Sequence, residues 1–189
     1  MHCYSNKLTF DLMKTYTGNK VTALLPWQPI SNAVTGVAMP VITNEFTKVI
    51  QVYQWGLVPK WAKLATYGKN LYNTKLSNLQ KSTSMAAILQ YNRCLIPATS
   101  FKIWIDKKRG IEKEIYAPNN LPMYLCGIWD VWGEGLYTYS VLTHNSYTKL
   151  PDAYLPYPIQ WSDKKVWLNS EAIGWKELLE METVGDFLK

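Results

Sequence analysis

Residues 93–105 read RCLIPATSFKIWI, and together with MYLCGIWDVW at 123–132 and LYTYSVLTH at 136–144 they decide the fold. Each run is rich in β-branched and aromatic residues, the side chains that fit a pleated surface. Between the runs stand KKRG at 107–110 and the pair Gly133 and Gly135, residue types that turn a chain sharply. Consecutive β-rich runs joined this way predict a meander of antiparallel strands.

Upstream, KVIQVYQWGLVP at 48–59 reads as a further strand that leaves its sheet at Pro59. A shorter β segment enters at Pro40–Thr43, and Pro26 and Pro29 around Trp27 mark 20–30 as a connection. Leu76, Leu79, Met85, Ile88 and Leu89 follow an interrupted helical periodicity, which predicts a mostly helical segment over 76–91. Downstream, 165–181 reads as a last helix, with Ser170 able to cap and Trp175, Leu178 and Leu179 giving the apolar face. Strands dominate, so the class is α+β. No repeat, low-complexity tract or linker divides residues 1–189, which are read as a single domain.

Hydrophobic residues make up 48% of the chain and aromatics 14%, far from the composition of a disordered protein. The net charge of +6 is spread over scattered lysines, with no basic block beyond Lys107–Arg109. Such a surplus fits an ordinary solvated surface, and with so many rings it also fits a groove in which cations follow a single nucleic-acid strand and aromatics stack on bases. Cys3, Cys94 and Cys126 are too few and too far apart for a disulfide framework. No apolar run approaches the roughly 20 residues of a membrane span. The start, MHCYSNKLTFDLMK, lacks the apolar region of a signal peptide, so a cytoplasmic location is expected.

Cys94 and Cys126 lie inside apolar runs and read as small core residues. Cys3 is either a nucleophile or an unreactive thiol of a first strand. Trp55 fits a core position, whereas Trp61, just past Pro59 and beside Lys60 and Lys63, suits a base-stacking platform. His144 reads as a polar loop residue. His2, Cys3 and His144 have no recognisable ligand spacing, so neither a metal nor a cofactor is expected.

The segments PVITNE (40–45), QWGLVPKWAK (54–63), YNTKL (72–76), RCLIPATSFKIW (93–104), LCGIWDVW (125–132), YSVLT (139–143) and YPI (157–159) span most of the chain. Their order and spacing resemble the SRAP family, the SOS response-associated peptidase-like proteins that shield abasic sites in single-stranded DNA. The resemblance implies a mostly antiparallel, irregular β-barrel-like sheet with a few flanking helices, and single-stranded DNA as partner. It also implies a chemistry. A cysteine freed at the N-terminus by loss of the initiator methionine captures the ring-opened sugar aldehyde as a thiazolidine, its amine forming the imine and its thiol closing the ring. A glutamate and a histidine act as acid and base, an asparagine orients the reacting groups, and arginines with aromatic rings hold the flanking strand.

Carried onto this sequence, Asn73 keeps the asparagine and Lys75 replaces an arginine, a point charge in place of a bidentate fork. Ile103 stands at the glutamate, Tyr154 at the histidine and Pro156 at an arginine two residues beyond. A phenol ionises near pH ~10 and is a weak proton shuttle at neutrality. Cys3 is the cysteine shifted by one, or His2 has replaced it, and removal of Met1 alone would expose His2. Cys3 and Asn73 are therefore the candidate catalytic residues, and Pro40, Trp61, Asn73 and Lys75 the candidate DNA contacts. The expectation is a single-stranded-DNA-binding SRAP-like protein with covalent capture lost or reduced. The alternatives are a crosslinking enzyme acting through Cys3 and a non-catalytic scaffold or binding module.

Overall fold

The run at 93–105 divides at Thr99 into two strands that belong to different sheets, β-strand Arg93–Ala98 and β-strand Ser100–Asp106. The computed structural model describes residues 1–18, 20–21, 27–117, 121–144 and 154–169. In chain order the strands are β1 (Cys3–Asn6), β2 (Lys20–Val21), β3 (Ile30–Ala33), β4 (Ala38–Thr43), β5 (Val49–Trp55) and β6 (Asn73–Lys75). After them come β7 (Arg93–Ala98), β8 (Ser100–Asp106), β9 (Ile111–Tyr116), β10 (Met123–Trp132), β11 (Leu136–His144), β12 (Leu155–Pro156) and β13 (Pro158–Ile159). The helices are α1 (Phe10–Thr17), α2 (Leu76–Leu79), α3 (Thr83–Tyr91) and α4 (Lys164–Leu168).

Strands β11, β10, β7, β4 and β5 are successive antiparallel neighbours, and the parallel pairing of Thr138 with Gln54 and Tyr139 with Trp55 joins β11 back to β5. The five close into a barrel, which leaves none of them with a free edge. The predicted meander is the β7–β10–β11 wall of this barrel. The β8–β9 hairpin leaves it between β7 and β10 to form, with β1 and β3, a second sheet in the order β3-β1-β8-β9. Strand β9 was not anticipated from the sequence: IEKEIY leaves only Ile115 buried and carries little apolar signal.

The barrel wall is apolar on both faces. Cys94, Ile96 and Ala98 of β7 point into one core with Trp55, Tyr139, Met1, Tyr4, Phe101 and Ile103, while Leu95 points into a second core under the helices. That second core includes Met13 of α1, Ile88 of α3 and Trp167 of α4. Burial of both faces explains why β7 reads as a continuous apolar run rather than an alternating one. Arg93 is also buried, and its guanidinium donates to the Asn169 carbonyl and lies against the Trp167 ring, whose Nε1–H donates to Cys94 O at 2.8 Å.

The helical segment 76–91 is two helices, α2 and α3, separated by a turn. Helix α1 was not foreseen. Its N-cap is Thr9, whose hydroxyl accepts the Leu12 N–H at 3.3 Å, and Gly18 closes it at φ 62°, a conformation a side chain disfavours. Of the last predicted helix the described residues contain α4, and Ser170, Trp175, Leu178 and Leu179 lie outside them. His144 is the last residue of β11, partly buried and with its ring against Tyr157, rather than a loop residue. No helix among the described residues is long and apolar enough to cross a membrane.

Candidate functional site

Asn73 and Lys75 lie on β6, which pairs in parallel with the C-terminal half of β11, and β12 pairs antiparallel with the same end. The two short strands therefore bring Lys75 and Tyr154 together, with the Lys75 ammonium 4.5 Å from the centre of the Tyr154 ring. Asn73, Lys75 and Tyr154 line a cleft of about 410 Å³ with Tyr67, Asn70 and Lys107. Among the described residues its lining holds two lysines and no carboxylate.

Met1 is the residue on which this wall converges. Its α-amine donates to the Tyr154 carbonyl, and its own carbonyl accepts from Asn73 Nδ2 at 2.5 Å. The Met1 side chain packs in the first core, which also holds Ile103. Burial pulls the α-amine down to about 5, so it is neutral at physiological pH.

Ile103 is fully buried on β8, in the same core as Phe101 and Ile115. Tyr154 keeps its side chain half exposed, and Pro156 is buried in β12 opposite Thr143.

Cys3 takes a different direction. Tyr4, its neighbour on β1, points into the first core, where its hydroxyl is hydrogen-bonded to that of Tyr139. Successive strand residues face opposite ways. The Cys3 thiol accordingly meets Asn32 Oδ1 at 3.9 Å, among Lys102, Glu112 and Glu114. Burial pushes this thiol up, and the cysteine belongs to neither core. On the same sheet His2 stacks on Trp104 at 4.2 Å and shares Glu112 with Lys102, at 2.9 and 2.7 Å. Burial lowers the His2 imidazole against the opposing pull of Glu112. The structure thus groups Asn73, Lys75 and Tyr154 and leaves the Cys3 thiol outside that group.

The predicted DNA contacts divide in the same way. Trp61 is 45% exposed and set edge-on to Tyr67 at 5.3 Å, so it borders the cleft through one of its lining residues. Its backbone is held on both sides: Lys60 N–H donates to Asp130 Oδ2 at 2.9 Å, and Ala62 O accepts from Trp132 Nε1 at 2.7 Å. Close backbone contact fixes the following loop, since a Cβ on Gly56, at φ 121°, would come within 2.7 Å of Gly68 O. Trp55, by contrast, is fully buried and donates to Tyr72 O at 2.7 Å. Pro40 is buried in β4 opposite Val52 and is not among the described residues that line the cleft. Sequence reasoning missed Tyr67, Asn70 and Lys107. Only Lys107 had a signal, the one short basic run, and nothing in that run indicated which way it faces.

The chain is thus a closed-barrel protein with a cationic, amide-lined cleft, one of whose residues, Asn73, also holds the Met1 carbonyl. The profile of the family "SOS response associated peptidase (SRAP)" matches residues 4–185, and the chain belongs to that family. It is 31% identical over 124 residues to the Bacillus subtilis abasic site processing protein YoqW, a match covering 61% of this chain and 55% of the relative. Over 126 residues it is 29% identical to the abasic site processing protein HMCES of Gallus gallus, covering 51% and 37% of the two chains. The chain thus spans about half the length, or less, of these curated relatives. Among solved structures, a protein from Bacteroides thetaiotaomicron superposes with a TM-score of 0.76 at 22% identity, covering 95% of this chain and 86% of that one. One from Bordetella bronchiseptica gives 0.77 at 17%, with 95% and 93% covered. These superpositions share the fold.

Proposed function

We propose that the chain binds single-stranded DNA in the cleft lined by Asn73, Lys75 and Tyr154, and that covalent capture of abasic sites is lost or strongly reduced. The names of its relatives, abasic site processing proteins, point to damaged DNA as the ligand. The observation that carries the reading is the content of the site. Asn73 binds the carbonyl of the buried Met1 and lines the cleft with Tyr154, the buried Ile103 shares a core with that methionine, and the Cys3 thiol faces Asn32.

Thiazolidine formation needs an amine and a thiol on one residue, and acid–base help at the reacting carbon. Here the amine in the site belongs to Met1 and the thiol to Cys3. Burial raises that thiol and so reduces its reactive thiolate fraction. Binding needs less: cations for phosphates and an exposed ring for a base, roles that Lys75 and Trp61 fill in this reading.

Incubation with an oligonucleotide carrying one abasic site, followed by denaturing electrophoresis, tests the loss of capture. Native binding with no heat-stable shifted band is the expected result. A shifted band that disappears on Cys3→Ala would instead establish the crosslinking enzyme. Absence of binding at low salt would favour the scaffold.

A further inference from the structure

The cleft has a wall to which none of the family-like segments contributes. Lys107 opens the turn joining β8 to β9 and lines the cleft together with Asn73, Lys75 and Tyr154. The turn has a built conformation. Asp106 Oδ1 accepts the backbone N–H groups of Lys108 and Arg109 at 3.0 and 3.1 Å, and Gly110, at φ 70°, donates to Lys107 O at 3.4 Å. Asp106 Oδ2 also lies 3.6 Å from Arg109 Nε. Of the consecutive basic residues, Arg109 is drawn back onto the carboxylate that shapes the turn, and Lys107 stands at the cleft. Among the described residues no ion pair or side-chain hydrogen bond engages the Lys107 ammonium.

Two ammonium groups lining one cleft repel each other, and among the described residues no carboxylate in the lining relieves them. The remaining polar lining among the described residues is Asn70, Asn73, Thr74 and Asn78 with tyrosine rings, groups that donate to phosphate oxygens or stack on bases. An anion spanning the two lysines removes the repulsion. Resting on the single-strand reading above, we infer that Lys107 is the cleft's second phosphate ligand, so that one nucleic-acid strand crosses from Lys75 to the β8–β9 turn with a phosphate on each lysine. The turn thereby supplies a cation where the sequence has Pro156 at a family arginine.

The test is fluorescence anisotropy with 5′-fluorescein-labelled oligothymidylate, titrated with KCl, for the unaltered chain, Lys75→Gln, Lys107→Gln, the double variant and Lys113→Gln. Lys113 is an exposed lysine of β9 outside the cleft lining. Each lost contact to a single strand lowers the slope of log K against log salt by about 0.7. Lys75→Gln and Lys107→Gln should each show that decrease with a several-fold loss of affinity, the double variant should show both decreases, and Lys113→Gln should match the unaltered chain. A slope for Lys107→Gln equal to that of the unaltered chain, or no larger a change than Lys113→Gln gives, overturns the inference. If Lys75→Gln still lowers the slope in that case, the reading of the cleft survives. Failure of the unaltered chain to bind overturns both.

Discussion

Asn73 donates its side-chain amide to the carbonyl oxygen of Met1 at 2.5 Å, a bond between residues 72 positions apart. It ties the start of the chain to β6 and, through β6, to the barrel strand β11. Asn73→Ala removes the donor and leaves the partly buried Met1 carbonyl without it. A loss of about 1 kcal/mol is expected for a single hydrogen bond of this kind. Urea denaturation followed by tryptophan fluorescence measures it, and an unchanged midpoint would mean that the bond contributes nothing in solution.

Ile103 is fully buried in the apolar core that also holds Phe101 and Ile115. Ile103→Glu therefore buries a charge without a partner, at a cost of roughly 3–5 kcal/mol. Ile103→Val should cost only about 1 kcal/mol through the lost methyl group. Because a buried carboxyl neutralises more readily as pH falls, the deficit of the glutamate variant relative to the unaltered chain should shrink between pH 8 and pH 5. A deficit independent of pH would refute a buried charge as its cause.

In a chain whose first residue is Met1, the α-amine sits near 5 in the folded protein against an ordinary value of 8.0. Between those values the unfolded chain binds more protons, so stability rises with pH across that window and is lost on acidification. Three units correspond to a contribution on the order of 4 kcal/mol. His2 and His144 are lowered by burial and act in the same direction. Glu112 and Glu114, held low first by Lys102 and by Ser100 respectively, lose their contribution only below the ordinary carboxylate range. Urea midpoints should fall from pH 8 to pH 5, and N-terminal acetylation should flatten much of that fall. A midpoint that climbs on acidification contradicts the buried neutral amine.

Trp61 combines a half-exposed ring with a backbone anchored at both neighbours. Such a ring can stack on a base without being ordered first. Trp61→Ala should weaken binding of unmodified single-stranded DNA by about 1–3 kcal/mol, the usual worth of one stacked base. Its thermal midpoint should change little, since the side chain fills no core. Equal binding by the variant would remove Trp61 from the interface.

Trp55 and Trp61 show how much of the site was legible in the sequence. Trp55 sits in a run of β-formers and is fully buried; Trp61 follows a proline and lies between lysines, and it is exposed. Local pattern sufficed for the burial of the one and the exposure of the other. It carries no mark of the way the Cys3 side chain faces, which depends on the face β1 turns to the barrel, and one residue separates the Tyr4 side from the Cys3 side. It failed at Thr99, where one apolar run passes from the barrel into the second sheet. Both of its halves are buried, so the hydrophobic pattern carries no mark at the boundary.

The sequence by itself determined the strand-rich α+β class, the apolar barrel wall and the residue types at the family's motif positions, because these follow from local composition and from order along the chain. The tertiary structure decided which of those residues meet. Closure through β5 and β11, and the pairing of β6 and β12 with the end of β11, bring Asn73, Lys75 and Tyr154 to Met1, and the β8–β9 turn adds Lys107 to the same cleft. Those neighbours come from pairings between distant segments, whose register is set by burial across the whole barrel and leaves no trace in any one stretch of sequence.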